Sequence, residues 1–531
     1  MPAGEAMKSN LLNNRNIYLF GLILLVCSLP FSVFLMSVSQ FILLGNWLLE
    51  GKFDEKWQRL KSSKAIWLFV SVFLVHVGWM VVSGFEPPVL RYGLNDLRIK
   101  IPLLLLPVLI GTSSPLNEKE LRMVLRFFVG AVVAGTLVSL FFRFRNPLCE
   151  WRYWFPFISH IRFSLLVVLA VFFLFYLWRK SMRRFYRWGY VLLAVWLLGS
   201  LVFFRLLTGL LVFYFSSLLM CVFFFRRLPA KYRYALLVFY VVTAVGALAG
   251  IKKVHDDYFS VKQPLYSPAA YTPSGNPYFY DSACKEYENG YPLWEAICEK
   301  ELRNEWNKRS RLSYDGTDRK GNLLRYTLIR YLTSRGLTKD SASVASLRPE
   351  EITAIENGMA SVVYLEKPGI YQRVYEIIWE LDHYFRHHDP SGHSVAQRIE
   401  YLRTAMKIIR ENFWLGTGTG GVQAAFDRMY EAMNSPLQKP FRHRAHNQFV
   451  TFLVSFGIGG FLWIVFVFFY VPYKKRCYGN YLFLSAFITG MLSWLNEDTL
   501  ETQAGVTFFT FFIVLFLFGV EQRGDESKKA Q

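Results

Sequence analysis

The sequence predicts an all-α polytopic membrane protein, with about 12 transmembrane helices and one large, mostly helical external segment. Three observations carry this. Of the 531 residues, 53% are apolar and 18% aromatic, against only 19% charged. The apolar residues are gathered into blocks, among them 17–29, 65–83, 234–251 and 504–520, with almost no charge inside. About 18 such residues suffice to cross a hydrocarbon core of about 30 Å. The stretches between blocks are basic: five Lys or Arg in 52–64, five in 179–187 with no acid, and four in 226–233. Cytoplasmic loops of membrane proteins are enriched in this way. The net charge of +21 is therefore a matter of topology and not a nucleic-acid surface. A soluble enzyme, a disordered scaffold and a disulfide-rich secreted domain are excluded.

Taken in order, the spans fall at 17–29, 31–50, 65–83, 100–111, 121–142, 160–178, 188–204, 206–225, 234–251, 448–471, 481–496 and 504–520. The first is expected to be retained, because no small-residue cleavage site follows it. Pro30 divides it from the second. The fourth is short and holds two prolines, which suits a broken or partly re-entrant helix. Alternation puts the loops at 51–64, 179–187, 226–233 and 474–476 on one side, with both termini, and their bases make that side cytoplasmic. The organisation expected is then 1–251 with nine spans, an external segment 252–447, three spans in 448–520 and a cytoplasmic tail 521–531.

The external segment starts polar and turn-rich at 266–277, then reads as helices at 299–308, 321–334, 350–363 and 394–412. In the last of these Ile399, Leu402, Ala405, Met406 and Ile409 form an apolar stripe. A loop of Gly416-Thr417-Gly418-Thr419-Gly420-Gly421 follows. It lacks the Lys-Ser/Thr ending of a phosphate-binding P-loop and lies on the external side, so nucleotide binding is not expected. The six cysteines form no CxxC or Cys/His metal pattern; Cys284 and Cys298 share the external segment, where a disulfide is compatible with an oxidising compartment.

Chemistry has few places to sit. The spans hold essentially no Asp or Glu, which argues against an ion-coupled transporter. The charge near the membrane reads as cationic: Arg162, Arg205 and the run Arg442-His443-Arg444-Ala445-His446. Arg205 interrupts an apolar run long enough for two spans. An arginine there either marks an interfacial turn, its head snorkelling to water, or faces inward to bind an anion. Arg398 and His446 carry the same two readings, solvated side chain or functional group, and a histidine near neutrality can take a proton from a hydroxyl. His76, His387 and His388 read as structural or solvated.

Five segments then occur in one order: Ser394-Val395-Ala396-Gln397-Arg398, Ala405-Met406-Lys407-Ile408-Ile409, Trp414-Leu415-Gly416-Thr417-Gly418, Ala445-His446-Asn447-Gln448 and Phe456-Gly457-Ile458-Gly459-Gly460. This order resembles the O-antigen ligase/polymerase superfamily, most specifically across 394–462. Upstream, Phe204-Arg205-Leu206-Leu207-Thr208-Gly209 is similar to the family's Ser-Arg-x-Gly segment, with Phe in place of Ser. The resemblance implies a GT-C-like, metal-independent, cofactor-free glycosyltransferase of the bacterial inner membrane, with a periplasmic loop. Its implied partners are an undecaprenyl-diphosphate-linked glycan, a lipid A–core or glycan acceptor, and membrane lipid. Ligases pass the glycan to lipid A–core, and polymerases extend a lipid-linked repeat.

Such a reaction needs charge stabilisation on a departing diphosphate and a base for the attacking hydroxyl. No acidic cluster offers metal ligands in the sequence, so arginines are the natural substitute. Arg205 and Arg398 are expected on the diphosphate, His446 as the base or as the group orienting the acceptor, and Asn447 as its positioner. Arg444 and Arg162 are expected as further anion contacts. Arg205, Arg398 and His446 should therefore converge on one cavity at the external membrane face. A lipid-linked oligosaccharide flippase competes with this reading, but predicts repeat symmetry between halves that the sequence lacks. An inactive partner in an envelope glycan complex is the third reading.

Overall fold

The computed structural model describes residues 13–145, 151–227, 229–281, 283–367 and 369–521. Cys149 and all of the expected tail except Glu521 lie outside them. The described chain is overwhelmingly helical and forms two compact units, one of 1–139, 155–228 and 383–531, the other of 140–154 and 229–382. The segment expected at 252–447 is thus divided at 382/383.

All twelve apolar blocks fall on helices, but not on twelve equal ones. Among the described residues seven helices are long and apolar enough to cross a membrane: Lys64–Ser83, Glu118–Arg145, His160–Lys180, Arg184–Phe203, Leu207–Arg227, Ala230–Phe259 and Gln448–Lys474. Val33–Leu49 makes an eighth only if joined to Phe53–Ser62, from which it is bent by 112°. Asn14–Ser28, Tyr481–Trp494 and Gln503–Phe518 are apolar but shorter. The loop read at 51–64 contains the amphipathic helix Phe53–Ser62, with Asp54 and Glu55 in its first turn and Arg59 and Lys61 in its last, as the helix dipole favours.

The fourth block is the helix Pro102–Thr112, only 11 residues, with Pro102 at its start and Pro107 inside. It follows directly on Pro87–Lys100, a helix that hydropathy does not reveal. The buried residues of that helix are Gly93, Asp96 and Lys100, so its inward face is ionic instead of apolar.

In the first unit the membrane helices pack through aromatic contacts. Fully buried Trp494 meets Phe452, Phe468 and Phe509 with ring centroids 5.6, 5.3 and 5.0 Å apart.

The second unit contains the Ala230–Phe259 helix, of which only Tyr240 and Val254 are buried, and a compact insertion with its own core. Leu302, Trp306, Tyr314, Leu328 and Tyr331 are fully buried there. A two-residue hairpin pairs Tyr287–Glu288 with Tyr291–Pro292, and its turn, Asn289-Gly290, has positive φ at both residues, the geometry that matches strand twist. Cys284 and Cys298 are both free thiols in this structure, so the disulfide entertained for them is not formed.

Candidate active site

The Ser394–Glu411 helix packs on Val422–Ala432 through one buried cluster that includes Tyr401, Ala405, Ile408, Phe426 and Met429. Its buried face runs through Ala396, Glu400, Tyr401, Thr404, Ala405, Ile408 and Ile409. The expected stripe is therefore wrong in part, because Ile399, Leu402 and Met406 are exposed. Polar residues account for the shift: Glu400 is buried by accepting a hydrogen bond from Tyr384 Oη, and apolar periodicity cannot register such a contact.

The Gly-rich loop is a clasp. Thr417 N and Gly418 N donate to Val454 O and Ser455 O at 2.8 and 2.9 Å, and Trp79 Nε1 donates to Leu415 O at 2.7 Å. The amides of Gly416, Thr419 and Gly421 also donate to backbone carbonyls and that of Gly420 to Ser83 Oγ, so none is left to cradle a phosphate. Gly457 breaks the Gln448–Lys474 helix with φ 60°, and a Cβ at Gly416 would stand 2.5 Å from its nitrogen. Only two glycines allow so close a crossing.

Arg205 occupies the break between Arg184–Phe203 and Leu207–Phe224, in the left-handed region with φ 59°. Gly209 seats this turn on the His160–Lys180 helix, since a Cβ there would lie 2.7 Å from that of Ser164. Arg162 lies in the first turn of that helix, capped by Ser159. It is half-buried, and no hydrogen bond or ion pair of its side chain is seen among the described residues.

His446 is the second non-glycine site residue with positive φ, at 49°. Its ring lies 5.4 Å from that of Tyr401, centroid to centroid. Asn447 is the N-cap of the Gln448–Lys474 helix: its Oδ1 accepts from Val450 N at 3.1 Å and its Nδ2 donates to Leu495 O at 3.0 Å. Arg444 is not left open to an anion alone, because its Nη1 pairs with Glu501 Oε2 at 2.9 Å.

A polar chain joins these positions. Asn496 Nδ2 donates to Thr208 Oγ1 at 3.3 Å, three residues from Arg205, and Arg398 Nη1 donates to Asn496 Oδ1 at 2.6 Å. Arg398 Nη2 pairs with Glu497 Oε1 at 3.0 Å. His446 Nδ1 lies 3.8 Å from Glu497 Oε2, is buried, and makes no hydrogen bond. Arg398 and His446 therefore flank one carboxylate, and the Arg205 turn is tied to the same turn of chain.

The reading of the charge near the membrane as cationic is corrected here. The turn at 496–503, between the last two apolar blocks, brings Glu497, Asp498 and Glu501 among the cations. Burial works to raise the Glu497 carboxyl, but nearby His446, Arg398 and Arg162 outweigh it and hold the group below its ordinary range. Burial also opposes ionisation of Glu501, and the charges of Lys100 and Arg444 reverse that, keeping it ionised. Asp498 is pushed up by burial. Among the described residues no group of three or more His, Cys, Asp or Glu side chains is arranged to hold a metal ion.

Sequence reasoning missed Glu497, Glu501, Lys100, Gln448 and Tyr401. The signal for the acids was present: three carboxylates within five residues, between two apolar spans, are costly there unless paired with cations.

The comparisons with known proteins agree with this region. No curated protein matches the chain. Residues 358–465, which hold Arg398, the clasp, His446, Asn447 and the kinked start of the following helix, match the family model Wzy_C, described as O-antigen ligase. That match, over about a fifth of the chain, supports a likeness of this region to the O-antigen ligase-related superfamily.

Proposed function

We propose that this protein is a glycosyltransferase that moves a glycan from undecaprenyl diphosphate to an acceptor sugar hydroxyl, in most direct form ligating O-antigen to lipid A–core. The bacterial inner membrane holds it, with twelve crossings, both termini cytoplasmic and the site periplasmic. The observation that supports the reading is that Arg398 and His446, both inside the stretch matched by the ligase family, meet at Glu497. Polymerisation of lipid-linked repeats uses the same chemistry and is the alternative.

In this reading Arg205 and Arg398 bind the diphosphate and stabilise the charge that grows on it as the glycosidic bond breaks. A guanidinium suits this because its planar fork donates two parallel hydrogen bonds and never loses its charge. Arg162 and Arg444 add positive potential. His446 takes the proton of the attacking hydroxyl. Glu497 faces Nδ1, so closing that gap to hydrogen-bond length fixes the proton there and leaves Nε2 to act as base. Asn447 holds the histidine's backbone by capping the helix that starts behind it. The scheme needs no metal or cofactor.

Surface-glycan electrophoresis of a deletion strain tests the reaction. Long glycans left on the carrier lipid and absent from lipid A–core identify a ligase. Single repeats still attached to core identify the polymerase, and an unchanged pattern contradicts both.

A further inference from the structure

Glu501 takes no part in the scheme above, yet its two oxygens reach both sides of His446. Oε2 pairs with Arg444, two residues before the histidine, at 2.9 Å. Oε1 accepts from Gln448 Nε2, two residues after it, at 3.0 Å. Gln448 returns the contact, its Oε1 accepting from Leu500 N at 2.7 Å. The carboxylate is itself fixed by Lys100, whose Nζ lies 2.8 Å from Oε2 and 2.6 Å from Asp96 Oδ1. Lys100 is 1% exposed and Glu501 6%.

A carboxylate so deeply buried is costly, and hydrophobic residues of similar volume generally stabilise a fold at least as well. Stability alone therefore does not account for the arrangement. What it does achieve is local. His446 sits at φ 49°, a costly conformation for a non-glycine residue, and such conformations persist only where the surroundings over-determine them. One rigid anion tied to positions 444 and 448 supplies that constraint. The Lys100 helix, which hydropathy does not reveal, anchors that anion.

We propose that Glu501, held by Lys100, is a positioning residue that clamps Arg444 and Gln448 so that His446 keeps its left-handed backbone and meets the acceptor hydroxyl. The inference rests on the transferase reading. It predicts that the clamp acts on turnover more than on donor affinity, since Glu501 holds the residues on either side of His446, and its one tie to an anion contact is to Arg444 and not to Arg398, which is assigned to the diphosphate.

The test uses the full-length protein in liposomes, with lipid-linked donor extracted from the deletion strain and acceptor lipid from the same cells. Glu501→Gln is expected to lower kcat at least tenfold while KM for the donor changes less than about twofold, and Glu501→Asp to recover part of the loss. If Glu501→Gln does not fold, Gln448→Met replaces it: it leaves the Lys100 pair intact, cuts one arm of the clamp, and is expected to lower kcat about threefold to tenfold. An unchanged kcat in either folded variant, or a rise in KM with kcat preserved, overturns the proposal. Wild-type protein that transfers no glycan, or His446→Ala that transfers it normally, overturns the transferase reading instead, so the two failures are distinct.

Discussion

At the scale of single residues, Arg398 is the side chain whose role depends most on its neighbours. It donates to Asn496 and pairs with Glu497, so the charge proposed to meet the diphosphate also balances a mostly buried acid. Arg398→Ala is expected to lower transfer roughly a hundredfold, equivalent to about 3 kcal/mol of barrier. Arg398→Lys cannot reach Asn496 and Glu497 together and should lose about tenfold. Because the two groups share one contact, Arg398→Ala/Glu497→Gln is expected to be little worse than Arg398→Ala; strictly multiplicative losses in that double-mutant cycle would mean that they act separately. Arg398 and His446 were legible as candidates in the sequence through ordered motifs. Their partner Glu497 was not, because an acid 51 residues beyond His446 carries no local sign of which cation it faces.

At the scale of elements, the Gly416–Gly421 loop and the break at Gly457 form one device. A Cβ on Gly416 would stand 2.5 Å from backbone atoms of Ser455 and Gly457, and Gly416 has φ 68°, so no side-chain movement relieves the clash. Gly416→Ala is expected to lower the thermal unfolding midpoint in detergent by several degrees, the left-handed backbone alone costing about 1–2 kcal/mol. Gly459→Ala is the control: its nearest neighbour is Trp414 O at 3.8 Å, and alanine in a helix should be neutral or stabilising by up to about 1 kcal/mol. Equal midpoints for the two variants would contradict the clasp. The sequence excluded a P-loop here, but the loop's actual task depends on a helix break at Gly457, and one glycine in an apolar run does not announce a break.

At the scale of the whole molecule, hydropathy located every apolar helix yet could not see Pro87–Lys100, whose inward face is Gly93, Asp96 and Lys100. The same blindness misplaced the buried face of the 394–411 helix, which buries Glu400 and Thr404 and exposes Ile399 and Met406. What pattern reading captures is apolar burial; what assembles this site is ionic burial, with Lys100, Arg444, Arg398, Glu497 and Glu501 drawn from four distant stretches. The central claim is that this assembly serves His446 as a base. The most direct measurement is glycan transfer by full-length wild-type and His446→Ala protein in liposomes, with the extracted lipid-linked donor. The account predicts a loss of at least about a hundredfold in the variant with its fold intact; transfer within about twofold of wild type would contradict it.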